Sequence, residues 1–228
     1  MSYIQPKIEA SEKIIKKAIK NYKPTAIAFS GGSDSLVILN LSLPYYWDIP
    51  VIFVDTHYQF PETYKYIDYL EKEWNLNLFR FKAEKPRYDD FLSKYGEDTE
   101  DFYFNCCMYH KISILMKSIK DLNLKSLIVG IRAVEHPERA KETYISYKEN
   151  LDPPHFRIHP ILDWTRQDII DYTLLFSLPI NPLYKKGYTS LGCIYCTKQN
   201  PNPRMGERYG RARKRELIKR KMKEEGYN

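Results

Sequence analysis

The sequence predicts an α/β fold, a doubly wound, mostly parallel sheet with helices on both faces. Three observations carry that expectation. Short apolar runs alternate with amphipathic segments of ~10–14 residues, the spacing of right-handed crossovers between parallel strands. The first apolar run ends in a Gly-Gly pair that opens directly into helical periodicity. The chain's 228 residues, 43% hydrophobic and 14% aromatic, suffice to bury one core, which excludes wholesale disorder.

The elements follow in order. Ile8, Ile14, Ile15, Ala18, Ile19 and Tyr22 recur at helical spacing with Lys and Glu between them, and Pro24 ends that helix. Thr25 to Phe29 is an apolar run between this proline and the Gly pair, hence a strand, and 34–43 resumes a helical period. A second buried strand is expected over 51–54, a helix over 62–74, a third strand over 78–81, a helix over 109–122 and a fourth strand over 126–129. The stretch 84–105 is polar and aromatic without a clear period and reads as a long loop over the sheet. Thr165 is placed to cap a helix ending near Phe176, and 179–203, rich in Pro, Gly, Tyr and Cys, reads as irregular. His155 and His159 fall in an extended polar stretch.

No apolar run approaches the ~18–20 residues that span a bilayer, and residues 1–21 carry no signal-peptide core. A membrane protein is therefore excluded and a cytoplasmic location expected, where four cysteines point to metal ligation or thiol chemistry rather than disulfides. Lys and Arg number 36 against 29 Asp and Glu, a net charge of +7. Residues 204–228 hold ten of these cations against four glutamates, so +6 of the +7 sits in the last segment. That segment reads as a basic tail, either a solvated helix or a lid. Polyanions, nucleic acid among them, are the partners such charge suggests.

Ser30-Gly31-Gly32-Ser33-Asp34-Ser35 stands where the first strand meets the first crossover helix. Two glycines let the backbone turn sharply and approach an anion, exposed N–H groups point at it, and the helix dipole favours its charge. No Lys follows the glycines, so this is not the Gly-x4-Gly-Lys-Ser/Thr loop. Residues 1–203 thus read as a single nucleotide-binding domain. A second constellation uses every cysteine: the adjacent Cys106-Cys107 and, far along the chain, Cys193-x-x-Cys196. Two such pairs make a four-sulfur set suited to zinc or an iron–sulfur cluster, and adjacent cysteines are unusual for zinc.

The Ser-Gly-Gly-x-Asp-Ser loop resembles the pyrophosphatase loop of the adenine-nucleotide alpha-hydrolase superfamily. Four further segments narrow the resemblance to adenylyl-sulfate and phosphoadenylyl-sulfate reductases, in the right order from Thr25 to about Arg211. Asp55-Thr56-His57 with the downstream Pro-Glu-Thr-Tyr resembles that family's Asp-Thr-Gly loop, and Gly130-Ile131-Arg132 through Arg139 its arginine loop. Asp163-Trp164-Thr165 with Asn181-Pro182-Leu183-Tyr184 resembles the approach to its second cysteine pair, and Glu207-Arg208-Tyr209-Gly210-Arg211 its late Arg-x-Gly-Arg segment. The resemblance implies that residues 30–35, Gly130, Asp55, Thr56 and His57 hold the nucleotide. It implies that Arg132, Arg139, Arg208 and Arg211 meet phosphate and sulfate oxygens, for which a guanidinium fork is suited. It also implies a [4Fe-4S] cluster on Cys106, Cys107, Cys193 and Cys196, with zinc as the lesser occupant, and Lys111 retained beside it.

Departures from the family pattern matter as well. His57 replaces a Gly, and His136 stands where the arginine loop has Ser. Each is expected either to donate to phosphate or sulfate or to pack at the pocket edge. The family's cysteine nucleophile, in a Glu-Cys-Gly-Leu-His segment, is expected at 222–225, where this sequence has none. The catalytic residue is thus unassigned, with Lys111 and His136 as supporting candidates. The expected activity is sulfonucleotide reduction in sulfur assimilation, with a thioredoxin-like protein, a small thiol or another electron donor as partner and a homo-oligomer allowed. The alternatives are an ATP-dependent iron–sulfur sulfurtransferase acting on tRNA or DNA, and a non-catalytic nucleotide-binding subunit. Tyr58, Tyr188 and Tyr195 lie near enough to the motifs to stack on adenine.

Overall fold

The computed structural model describes residues 3–226; Met1 and Ser2, and the last two residues of the expected tail, lie outside. A six-stranded sheet runs in the order β3-β2-β1-β4-β6-β5. Its strands are β1 (Thr25–Ala28), β2 (Val51–Asp55), β3 (Leu78–Lys82), β4 (Ser126–Val129), β5 (Ile145–Lys148) and β6 (His155–Ile158). All neighbouring pairs are parallel except the edge pair β5–β6. The connections diverge between β1 and β4, the switch point beside which such sheets bind ligands.

Helices α1 (Gln5–Asn21), α2 (Ser33–Ser42), α3 (Pro61–Glu73) and α8 (Arg166–Leu175) cover one sheet face. Residues 36–39 of α2 are all buried, as expected of a helix packed on every side. Trp164, fully buried, donates from Nε1 to Ser11 Oγ at 3.1 Å, tying α1 to the approach to α8. The Thr165 cap is present: its hydroxyl accepts from Asp168 N, and Asp168 accepts in return from Thr165 N. The other face carries Ala26, Ile52 and Leu127 against Ile119 of α6 (Ser113–Asp121). No helix among the described residues is long and apolar enough to cross a membrane.

Three expectations are corrected. The stretch 84–105 is not a loop but holds α4 (Tyr88–Tyr95) and most of α5 (Glu100–Cys107), which continues through a π-helical turn (Met108–Ile112) into α6. Its aromatic residues are the core of a second cluster, in which Phe91, Phe102 and Tyr103 are buried, and Thr99 caps α5 by accepting from Phe102 N. Strands β5 and β6 were not expected, because β6 buries His155 and Arg157 where a strand pattern calls for apolar side chains. The basic segment from Arg204 is folded, not pendant. After α7 (Pro137–Ala140) and α8, it forms α9 (Arg213–Leu217) and α10 (Lys219–Glu224), whose Ile218 and Met222 pack with Phe91, Phe102 and Cys107.

Candidate active site

Gly31 turns the chain after β1 with φ +77°, a conformation L side chains rarely adopt, and its Cα lies against Thr63 and Ile67. Ser35 braces the loop, its hydroxyl donating to Gly32 O at 2.9 Å and accepting from Ser30 N at 3.3 Å. Ser33 N donates to the hydroxyl of Tyr184 at 2.9 Å, while Arg166 Nη1 donates to Ser33 Oγ at 2.8 Å. Tyr184 stood in a quoted motif without a role, and Arg166 was not singled out from the sequence. Arg166 did leave a signal: a cation in the first helical position opposes the helix dipole and implies a negative partner there.

One cavity joins this loop to the cysteines. Its wall includes Ser30, Gly32, Asp34, Ser35, Thr56, Gly130, Lys111 and all four cysteines. Cys106 and Cys107 end α5, and Cys193 and Cys196 flank a 3-10 turn held by Cys196 N donating to Cys193 O at 3.0 Å. Thr56 Oγ1 lies 3.2 Å from Cys193 Sγ. Burial, then the other three thiols, pushes the Cys106 thiol well above its ordinary range, with Arg215 opposing. Cys196 is pushed up to about 12 by burial and by Cys193, against Arg215 and Arg211. The four cysteines thus come from two chain segments onto one cavity and disfavour one another's charge, while among the described residues only Asp34, Glu135 and Glu207 bring three ligand atoms within 4.8 Å of one another.

The arginines do not all face the cavity. Arg132, fully buried, is not on its wall: Nε donates to Asp34 Oδ1 at 2.9 Å and Nη2 to both Glu207 oxygens at 2.6 and 2.7 Å. Nε and Nη2 of Arg132 thus organise the carboxylates behind the phosphate loop, while its Nη1 has no hydrogen-bond partner among the described residues. Burial raises Asp34 to about 6, with Glu135 and Glu207 adding and Arg132 opposing. Burial would also raise Glu135, but Arg139, Arg132 and Arg208 outweigh it and hold that carboxyl at about 2. Arg139, Arg208 and Arg211 do line the cavity. Arg139 pairs with Glu135, and Arg208 forks onto Glu216 at 2.7 and 2.9 Å. Arg211 donates to Leu191 O at 2.5 Å, its guanidinium lying where a Gly192 side chain would stand.

Several assigned residues act otherwise than expected. Asp55 Oδ1 accepts from His57 N at 2.8 Å and Tyr64 OH at 2.6 Å, bracing its own loop rather than the cavity. His57 adopts φ +65°, in keeping with the Gly it replaces; its Nε2 lies 2.6 Å from Ala83 O, and it is not on the cavity wall. His136 caps α7 by accepting from Glu138 N at Nδ1, and burial, then Lys219, lowers its pKa. Gly130 contributes space rather than a contact, as its missing side chain would collide with the backbone of Asp34. Tyr195 stacks on Tyr88 at 3.5 Å and both line the cavity with Tyr58, whereas Tyr188 packs on Phe60. Glu135, Glu207, Arg157 and Arg215 also line the wall; Glu135 and Glu207 fall inside the quoted motifs but were assigned no role, and Arg157 and Arg215 lie outside them.

Seven cationic side chains thus line the cavity against three carboxylates, Asp34, Glu135 and Glu207, an excess suited to a polyanion. Residues 24–199 match the family model described as the phosphoadenosine phosphosulfate reductase domain. The phosphoadenosine 5'-phosphosulfate reductase of Buchnera aphidicola is 33% identical over 198 residues, covering 84% of this chain and 78% of that one. The protein of the same name from Xylella fastidiosa is 32% identical, covering 76% and 72%. In fold, the chain is similar to a phosphoadenylyl-sulfate reductase from Candida auris in a phosphate complex, with TM-score 0.69, 20% identity and 87% and 98% coverage. It is equally similar in fold to the FMN adenylyltransferase of Candida glabrata in complex with FAD and inorganic pyrophosphate, with TM-score 0.69, 22% identity and 87% and 66% coverage. With its phosphate loop and both cysteine pairs inside the matched residues, the chain belongs to the phosphoadenosine phosphosulfate reductase family.

Proposed function

We propose that this chain is an oxidoreductase of sulfur assimilation that reduces a sulfonucleotide, adenylyl-sulfate or phosphoadenylyl-sulfate, to sulfite. The observation that carries the reading is the single cationic cavity onto which the phosphate loop and all four cysteines open. The loop amides and the α2 N-terminus hold the 5'-phosphate, the group that leaves when the sulfur–oxygen bond breaks. Arg139, Arg208 and Arg211 neutralise sulfate oxygens and stabilise the charge that moves onto the phosphate. The attacking thiolate takes the sulfonate group as the nucleotide departs, and a second thiol then releases sulfite and leaves a disulfide. All four cysteines of the sequence line this cavity; with all of them as metal ligands, those thiols would come from a thioredoxin-like protein, a small dithiol or another donor. Cys106, Cys107, Cys193 and Cys196 would hold a [4Fe-4S] cluster, which supplies a polarisable, redox-active centre beside the sulfate subsite.

The test is anaerobic reconstitution with iron and sulfide, an iron assay, and measurement of sulfite and nucleotide released from each sulfonucleotide with dithiothreitol or thioredoxin. Sulfite formation in equal amount to the nucleotide is expected. Zinc rather than iron in the purified protein would defeat the cluster assignment, and tight nucleotide binding without product under any donor would leave a binding subunit. In the basic segment Arg208, Arg215 and Lys219 turn inward to Glu216, while Arg204, Arg213, Lys214, Arg220 and Lys221 are exposed; AMP formation that requires nucleic acid would favour ATP-dependent sulfur transfer instead.

A further inference from the structure

We propose that the Tyr184 hydroxyl, rather than the Ser33 amide behind it, meets the nucleotide's 5'-phosphate at the N-terminus of α2, with Arg166 positioning it as a donor; this rests on the sulfonucleotide reading above. A helix N-terminus offers its first amides to an anion. At α2 one of them is already taken, because Ser33 N donates to Tyr184 OH at 2.9 Å. Ser33 is 4% exposed and not on the cavity wall, whereas Gly32, Tyr184 and Arg166 are on it. The Ser33 amide therefore reaches the cavity only through the tyrosine.

Tyr184 is held in this place from its own side as well. It sits in a 3-10 turn over Pro182–Lys186, which Asn181 caps by accepting from Leu183 N at 3.1 Å. The same Asn181 side chain, itself buried, donates from Nδ2 to Gly31 O at 3.3 Å and to Thr63 Oγ1 at 3.2 Å. One amide thus ties the turn that carries the tyrosine to the loop that the tyrosine touches. Gly32 is the N-cap residue of α2, and a side chain there would begin 3.5 Å from the Tyr184 oxygen. The hydroxyl stands at the helix end, where the dipole favours a negative ligand.

Hydrogen-bond direction decides what this hydroxyl does. Arg166 Nη1 donates to Ser33 Oγ at 2.8 Å and fills a lone pair, so the Ser33 hydroxyl proton points elsewhere. The Ser33 amide and hydroxyl both act on Tyr184 as donors, which leaves the phenol's own proton to be given away. Arg166 also stands over the tyrosine ring, its Cζ 5.3 Å from the centroid, and a cation on that face makes the phenol a stronger donor. The charge of Arg166 is loosely matched: Glu207 lies 3.7 Å away and already accepts twice from Arg132. Burial, then Asp34, raises the Tyr184 pKa, so the proton is present at neutral pH. A chain of donors that starts on a cation and opens onto a cavity is completed by an anion, and it meets the charge that grows on the phosphate as the sulfur–oxygen bond breaks.

The test is calorimetric titration of the full chain with AMP and with adenosine, which lacks the phosphate. The wild type is expected to bind AMP at least about tenfold more tightly than adenosine. Tyr184→Phe keeps the ring and loses the hydroxyl; it is expected to weaken AMP about tenfold, as for a hydrogen bond to a charged group, while adenosine stays within about twofold. Arg166→Met weakens AMP too, and by less in the Phe background than in the wild type, because the two residues act along one chain of donors. Ser33→Ala cuts that chain at a residue off the wall, is expected to weaken AMP about threefold, and decides the matter where the Phe variant does not fold. A Phe variant that binds AMP as tightly as the wild type or more tightly overturns the proposal, since the freed Ser33 amide is then the phosphate donor. Variants that weaken AMP and adenosine alike, a Ser33→Ala protein with unchanged AMP affinity, or a wild type that does not distinguish the two ligands overturn it as well. A wild type that binds neither defeats the sulfonucleotide reading itself.

Discussion

Gly130→Ala tests whether the phosphate loop is held in place by the absence of a side chain on the strand beside it. A methyl group there would stand 2.7 Å from Asp34 O, 2.8 Å from Asp34 C and 2.9 Å from Ser35 N. All three are backbone atoms in the first turn of α2, so no rotamer change relieves the clash. Ordinary contact begins at 3.4 Å, and the closest pair must therefore separate by about 0.7 Å, moving the loop relative to the end of β4. Overpacking of this kind costs about 1–3 kcal/mol, which for a domain of this size lowers Tm by roughly 2–12 °C. The functional loss is expected to exceed the loss of stability, since displacement of a positioning group by about 1 Å costs up to about a hundredfold. Thermal denaturation paired with nucleotide titration measures both. An alanine variant with wild-type Tm and wild-type nucleotide affinity would refute the reasoning, because the backbone would then have yielded freely.

The remaining predictions concern charge, capping and metal. His110, His155 and His159 are held at about 4, and His136 below its usual value, chiefly by burial, so the folded chain leaves them neutral while the unfolded chain takes up protons below about pH 6.5. Asp34, raised to about 6, acts in the opposite sense, gaining stability as pH falls through that value. The net is a loss of up to roughly 3 kcal/mol per pH unit near pH 5–6, measured by urea unfolding at pH 7, 6 and 5; stability that is flat or rises on acidification contradicts it. Glu216→Gln leaves Arg208, Arg215 and Lys219 without their shared carboxylate and is expected to cost about 3–5 kcal/mol by the same assay, less than 1 being the adverse result. Thr165→Ala removes the α8 cap for about 1 kcal/mol, and an unchanged denaturation midpoint would show the cap idle. Cys107→Ser and Cys193→Ser are each expected to abolish stable binding of four irons per chain, and full iron retention in either variant would remove that cysteine from the ligand set.

Much of the fold was legible because its central strands and α2 are apolar and bounded by Pro and Gly, and local pattern there agrees with tertiary burial. The loop 30–35 and the cysteine pairs were legible for a related reason, since their chemistry depends on spacing along the chain. What escaped was polar or aromatic structure buried by distant partners. β6 reads as an extended polar stretch until His155 and Arg157 are placed against Pro153 and Gly226. The helices α4 and α5 look aperiodic because their tyrosines and phenylalanines pack on the cysteine region and on α9–α10, not on the sheet alone. Arg132 resembled an anion-binding arginine by motif, and only the fold shows that Asp34 and Glu207, 98 and 75 residues away, already enclose it.

The basic C-terminal segment shows how a run of charge is folded rather than shed. Ile218, between α9 and α10, and Met222 of α10 close the aromatic cluster around Cys107, and, while Arg220 and Lys221 stay exposed, the neighbouring Arg215 and Lys219 are buried with them. Those cations are tolerable only because carboxylates are shared: Glu216 serves Arg208, Arg215 and Lys219, and Glu142 serves Lys148 and Lys223. Burial alone would raise Glu216, yet its three cations hold it far below the ordinary range, so it stays ionised wherever the protein is folded. Shared carboxylates fix the arginines in direction while cancelling only part of their charge. The cavity they face therefore keeps a cationic excess that water meets poorly and a polyanion meets well, with its donors oriented before the ligand arrives.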